Sequence, residues 1–211
     1  MAESNKIKMK LLLENWREYL KESKLRVFDF DDTIAKSDSN IYITTDTGKK
    51  LVMTPGQYAT HKVNPDYKYD FSEFDDVINP REIKQITNIV RNAINAGTKG
   101  REIAILTARA EGAEDAIKKY LKSIDIDISK ITFVLLGDSD PEAKAEWVAE
   151  RIKAGATDVL FFDDSEKNFD AIENLKMRPE FEEFIKNGKL KIRARKVKYA
   201  EDIAENVAQE N

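Results

Sequence analysis

Cysteine is absent from the 211 residues. That excludes disulfides, thiolate metal sites and a cysteine nucleophile, and it accords with a reducing compartment. Histidine occurs once, at His61, which argues against a histidine-based triad or a multi-histidine metal site. Any metal here must be held mainly by oxygen. Long apolar runs are missing too: stretches such as Val159–Phe162 are far too short to span a bilayer. The opening MAESNKIKMKLLLENW lacks the apolar core of a secretory signal. The expectation is a cytoplasmic protein with no membrane partner. A marked excess of positive charge is lacking as well. Lys and Arg number 35 against 39 Asp and Glu, for a formal net charge of −4, so only a local basic patch would favour nucleic acid.

What is present is a globular composition, 41% hydrophobic and 35% charged, more charged than the usual quarter. The length suits one domain with an inserted module. Residues 7–22 place Leu12, Trp16, Tyr19 and Leu20 at helical spacing, so residues 1–23 are expected to form a helix packed on the core. LRVFDF (25–30) is a short apolar run that delivers carboxylates to its C-terminal end. Residues 41–53 fit a hairpin turning at Asp46-Thr47-Gly48, and Thr54-Pro55 starts a short helix through about Lys62. Residues 63–79 show no clear period.

From Pro80 onward the pattern alternates. Helices are expected at about 80–96, 110–123, 141–154, 165–175 and 179–187. Strands are expected at 102–106, 131–135, 158–162 and 189–195. Such alternation implies an α/β fold, a Rossmann-like parallel sheet with helices on both faces. It spans residues 24–199, interrupted by a small cap or flap at about 34–79. Residues 200–211 form a polar tail.

Ligands of open parallel sheets bind beyond the carboxyl ends of the strands. Asp29, Asp31, Asp32 and Thr33 follow the first strand. Thr107, Ala108 and Arg109 follow the second. Gly137 and Asp138 follow the third, with Lys144 one helical turn on. Asp163, Asp164 and Ser165 follow the fourth. Acids, hydroxyls and one lysine converging on a rim suit a phosphoryl group and a hard cation such as Mg²⁺, which prefers oxygen ligands. Lys144 adds a fixed positive charge, and Thr107 a hydroxyl donor.

The strings VFDFDDT, ILTAR, a helical lysine and LFFDD, in that order, resemble the four motifs of the haloacid dehalogenase-like (HAD) superfamily. The resemblance covers about residues 25–175. It implies that Asp29 is the nucleophile that becomes an aspartyl-phosphate, and that Asp31 is the general acid and then base. It implies that Thr107 and Lys144 bind the transferring phosphoryl group, with Thr33, Ala108 and Arg109 near substrate. Asp29, Asp163, Asp164 and Asp31, the last through its backbone carbonyl, would hold Mg²⁺. An acid at position 31 favours phosphate esters over haloacids, hence a phosphatase. A phosphotransferase and a catalytically silent module that binds a phosphorylated partner are the alternatives. Asn168 either orients the metal acids or merely starts a helix, and Arg109 either meets substrate phosphate or pairs with a nearby acid.

DDVINP (75–80), a helix, the TAR triplet and FFDD together resemble the phosphatase domain of polynucleotide kinase/3′-phosphatase. The substrate that this implies is a nucleic-acid 3′-phosphate or a nucleotide. No Walker A motif accompanies it. The insertion carries five lysines against seven acids, with Tyr42, Tyr58, Tyr67 and Tyr69 among them. Those tyrosines either stack bases or build the insertion's own core. KLKIRARKVK (189–198) holds six cations and no acid. It reads as an edge strand with one basic face, which serves either to discourage aggregation or to track a polyanion.

Overall fold

The structure is a computed structural model that describes residues 23–97 and 99–198. The expected N-terminal helix at 7–22 and the tail beyond Lys198 lie outside the described residues. The described chain contains β1 (Lys24–Phe28), β2 (Ala35–Lys36), β3 (Ile41–Thr44), β4 (Lys50–Met53), α1 (Pro55–Thr60), β5 (Lys68–Asp70), β6 (Arg81–Glu82) and α2 (Lys84–Asn95). There follow β7 (Arg101–Thr107), α3 (Glu114–Ser123), β8 (Thr132–Leu135), α4 (Pro141–Lys153), β9 (Asp158–Asp163), α5 (Glu166–Asn174), α6 (Pro179–Lys186) and β10 (Lys191–Lys196).

Five strands form the main sheet in the order β10-β9-β1-β7-β8, every pair parallel. β1 lies at the centre, with Phe28 opposite Ile105 on one side and Phe162 on the other. Alternation along β1 divides its side chains between two cores. Leu25 and Val27 join Val148, Val159, Phe161 and Ile172 in one cluster, the face covered by α4 and α5. Phe28 joins Ile86, Val90, Ile105, Ile117 and Leu121 in the other, beneath α2 and α3. Burial of each such side chain contributes about 1.5–3 kcal/mol. This is the α/β architecture that the strand–helix alternation implies. None of the described helices is long and apolar enough to cross a membrane.

The excursion leaves and re-enters through a two-stranded antiparallel neck, where Ala35 pairs with Glu82 and Lys36 with Arg81. Its body is a three-stranded antiparallel sheet in the order β4-β3-β5, plus α1. Ile41 and Ile43 are buried beneath it. Thr54 caps α1: Gln57 N donates to Thr54 Oγ1 at 3.3 Å, and Thr54 N donates to Gln57 Oε1 at 3.0 Å. The helix ends at Thr60 rather than Lys62. The segment 63–79, which shows no period in sequence, holds β5 and a 3₁₀ turn at Ser72–Asp75. Three residues are too few to register as alternation, and β5 exists because Tyr42, Ile43 and Thr44 supply its partners. For the same reason α2 starts at Lys84: Arg81 and Glu82 are taken by the neck.

β10 runs over Lys191–Lys196 and forms one edge of the sheet. Ile192 and Ala194 are buried, while Lys191, Arg193 and Arg195 face solvent. Part of the basic face is used internally. Arg193 pairs with Asp158 at 2.5 Å, and Lys196 pairs with Glu166. Ala194 N donates to Glu173 Oε1 at 2.9 Å, which satisfies an amide on the open side of the edge.

Candidate active site

Three strands, β1, β7 and β9, and the helix that follows β8 deliver the parts of the site. Asp29 follows β1, held by its backbone N–H to Phe162 O at 2.9 Å. Thr107 ends β7 and Asp163 ends β9. Lys144 lies in the first turns of α4, whose start is fixed by Pro141 at N1 and by the Asp140 side chain accepting from Glu142 N.

Lys144 is 4% exposed and joins two of these carboxylates. Its Nζ donates to Asp29 Oδ1 at 2.7 Å and to Asp163 Oδ2 at 2.8 Å. Burial works to strip its charge, but Asp163 and Asp29 outweigh burial, so its pKa is raised. One carboxylate oxygen from each of Asp29, Asp163 and Asp164 lies within 4.8 Å of the others. Three carboxylates against one ammonium are a charge excess in a water-poor site. Burial first, then the neighbouring acids, push Asp29 well above the usual carboxylate range, although Lys144 pulls it back. Burial, with Asp163 and Asp32, pushes Asp164 up to about 8. An all-oxygen set with surplus negative charge fits a hard divalent cation such as Mg²⁺.

Asn168 bears on this set directly. Its amide Nδ2 donates to Asp163 Oδ1 and Oδ2, each at 3.0 Å, and Ser165 N donates to Oδ1 at 2.9 Å. Asn168 thus both lies in the first turn of α5 and holds the Asp163 carboxylate. Thr33 is fully buried, and its hydroxyl faces Asp164 Oδ1 at 3.5 Å. Thr107 Oγ1 accepts from the Arg109 backbone N–H at 3.2 Å, which holds the loop after β7 against the rim. Ala108 is half-buried between them.

The Asp31 carboxylate is not among the three clustered acids. It is gripped by Arg109, with Nε to Oδ2 and Nη2 to Oδ1 each at 2.8 Å. Arg109 Nη2 also donates to Ser37 Oγ at 3.2 Å, and Nη1 donates to the carbonyls of Phe74 at 2.8 Å and Asp76 at 2.5 Å. All five guanidinium donors thus have protein partners. Of the sequence's two readings for Arg109, contact with substrate phosphate or pairing with an acid, this geometry displays the second.

The insertion crosses this rim. Burial raises the pKa of the Tyr58 hydroxyl and the neighbouring Ser139 side chain opposes that rise, so α1 approaches the loop before α4. A Cβ on Gly56 would sit 2.9 Å from Asp32 Oδ2, and one on Gly112 would sit 2.8 Å from Asp75 Oδ1. Glycine at both places permits the close approach. Tyr58, His61, Tyr69, Phe71 and Phe74 contact one another edge-on, tilted or stacked, with centroids 5.3–6.3 Å apart. These rings form a cluster that is only half-buried, with Phe71 exposed, and of the four tyrosines Tyr58 and Tyr69 take part in it. Ser37, Ser139 and Gly56 carry no sequence signal for these roles, because each acts through a contact that the chain reaches only after folding.

Neither the protein-family models nor the curated proteins include a match to this chain. Among solved structures, the chain is similar to the HAD domain of effector protein Lem4 from Legionella pneumophila, at 14% identity and a TM-score of 0.46 over 90% of this chain and 93% of that one.

Proposed function

We propose that the chain is a Mg²⁺-dependent phosphomonoesterase of the HAD type that works through an aspartyl-phosphate on Asp29. The observation that carries this reading is the buried Lys144 between Asp29 and Asp163, with Asp164 beside them, at the carboxyl ends of β1 and β9. A carboxylate must approach an anionic phosphate for the nucleophilic step, and that approach needs positive charge fixed in place beforehand. Lys144 supplies it at 2.7 Å from Asp29. Asp29, Asp163 and Asp164 would hold the cation, which when bound offsets charge on the phosphoryl oxygens. Asp29 forms the bond to phosphorus as the ester oxygen leaves with a proton from Asp31. Water, deprotonated by Asp31, then releases phosphate from Asp29. Thr107 holds the β7 end of the rim beside the transferring group.

The substrate is a phosphorylated compound, with a nucleic-acid 3′-phosphate or a nucleotide as the class that the DDVINP and TAR segments suggest. The test is phosphate release from a 3′-phosphorylated oligonucleotide and a 3′-mononucleotide, with Mg²⁺ and with chelator, beside an Asp29→Asn sample. The reading expects release that needs both Mg²⁺ and Asp29. Preference for the oligonucleotide supports the polynucleotide substrate, and equal rates support a general small-phosphate hydrolase. Capture of the phosphoryl group by an added alcohol in place of water would make it a phosphotransferase. Tight binding of these phosphates with no release from either would support the silent module instead.

A further inference from the structure

The guanidinium of Arg109 joins three segments that are far apart in sequence. One edge grips Asp31 through both carboxylate oxygens, and also Ser37. The other end takes the carbonyls of Phe74 and Asp76, at the close of the insertion. The plane is flanked by Phe74, 4.7 Å from guanidinium carbon to ring centroid, and by Phe30 at 5.5 Å. The side chain is fully buried. Withdrawing a guanidinium from water is costly, and apolar residues could glue the insertion down as well. The fork does what apolar packing does not: it fixes a carboxylate in two dimensions through paired donors.

We propose that Arg109 is a positioning residue, which sets the Asp31 carboxylate for proton transfer and registers it to the 74–76 segment of the insertion. The role rests on the phosphatase reading of the site. A phosphate group could reach the guanidinium only by displacing Asp31, Ser37 or the two carbonyls. Arg109 acts through Asp31, and the insertion, by holding the other end of the fork, holds the acid too. Movement of residues 74–76 therefore carries Asp31 with it.

The test uses the full chain, wild type and with Arg109→Gln, Arg109→Lys, Asp31→Asn and the Arg109→Gln/Asp31→Asn pair. kcat and KM are measured on p-nitrophenyl phosphate with Mg²⁺. Arg109→Gln is expected to lower kcat about 10²-fold, as loss of a placed acid–base group does, with KM nearly unchanged. Arg109→Lys should not rescue it, because one ammonium cannot serve two carboxylate oxygens and two carbonyls. The double variant should be no slower than Asp31→Asn alone. A KM rise with kcat retained would make Arg109 a phosphate ligand and overturn the proposal. Losses that multiply in the double variant would make it structural only and overturn it as well.

Amide hydrogen exchange over residues 73–79 provides a readout independent of activity, and it does not need an Arg109 variant that folds. Asp31→Asn should speed exchange there, since it frees one edge of the fork. Unchanged exchange would overturn the coupling. A wild-type chain that releases no phosphate, yet shows faster exchange in Asp31→Asn, would overturn the phosphatase reading while supporting the coupling.

Discussion

The amide of Asn168 donates to both carboxylate oxygens of Asp163, each at 3.0 Å, one turn into the helix that follows the β9 carboxylates. With Lys144 Nζ on Oδ2 and Ser165 N on Oδ1, Asp163 has no freedom to rotate. Partners of this kind orient the groups that hold a metal, and their loss commonly costs ten- to a hundredfold in affinity. Asn168→Ala is therefore expected to weaken Mg²⁺ binding by that factor, read by calorimetric titration. Asn168→Asp should do worse, since it sets a like charge beside Asp163. Unaltered affinity in both would remove Asn168 from the site.

Lys144 bears on stability as well as on the proposed chemistry. It is the ammonium shared by Asp29 and Asp163, and all three are buried. Removing one partner of a buried ion pair leaves an uncompensated charge, at a cost of about 3–5 kcal/mol. Lys144→Met should lose about that much in urea denaturation with chelator present. The companion Asp29→Asn should lose far less or gain, because it removes a carboxylate that burial and its neighbours already disfavour. Equal losses in the two variants would refute this account of the cluster.

The reach of the sequence can be judged from these same residues. Asp29, Thr107, Lys144 and Asp163 follow regular strands or begin a helix, so their convergence is readable from the βα alternation alone. Alternation in LRVFDF separates Leu25 and Val27 from Phe28 as the two cores require. Contacts made by loops left no such trace. Arg109 is one residue in a motif, and its five donors find partners at positions 31, 37, 74 and 76 only once the insertion folds back. β5 escaped for a related reason: its three residues are stabilised by β3, a partner some 26 residues earlier.

The same carboxylates set a pH dependence whose sign is fixed. Asp164 titrates at about 8 in the folded chain and near 3.9 when unfolded. Asp29 is raised too. Between these values the folded state binds more protons than the unfolded state, so stability falls as pH rises. Without metal, the melting temperature should decline from about pH 6 to about pH 8. A divalent cation competes with those protons, so Mg²⁺ should raise the melting temperature most at the alkaline end and flatten the profile. A metal-free profile that rises across this interval would contradict the assigned shifts.

The basic edge offers a last discrimination. Arg193 and Arg26 both bond Asp158, and together they outweigh the burial that would raise its pKa, leaving it lowered. Lys196 is paired with Glu166. Cations already matched within the fold release few counterions on meeting a polyanion, and counterion release is what makes nucleic-acid binding depend on salt. Replacing Arg193 and Lys196, the two matched cations, with Gln should therefore leave the salt dependence of oligonucleotide binding essentially unchanged. The Arg193 change should cost at most about 1 kcal/mol in stability, since its side chain is 45% exposed. A salt slope that falls by about one for each cation removed would instead assign β10 to the substrate path and extend the site around the sheet edge.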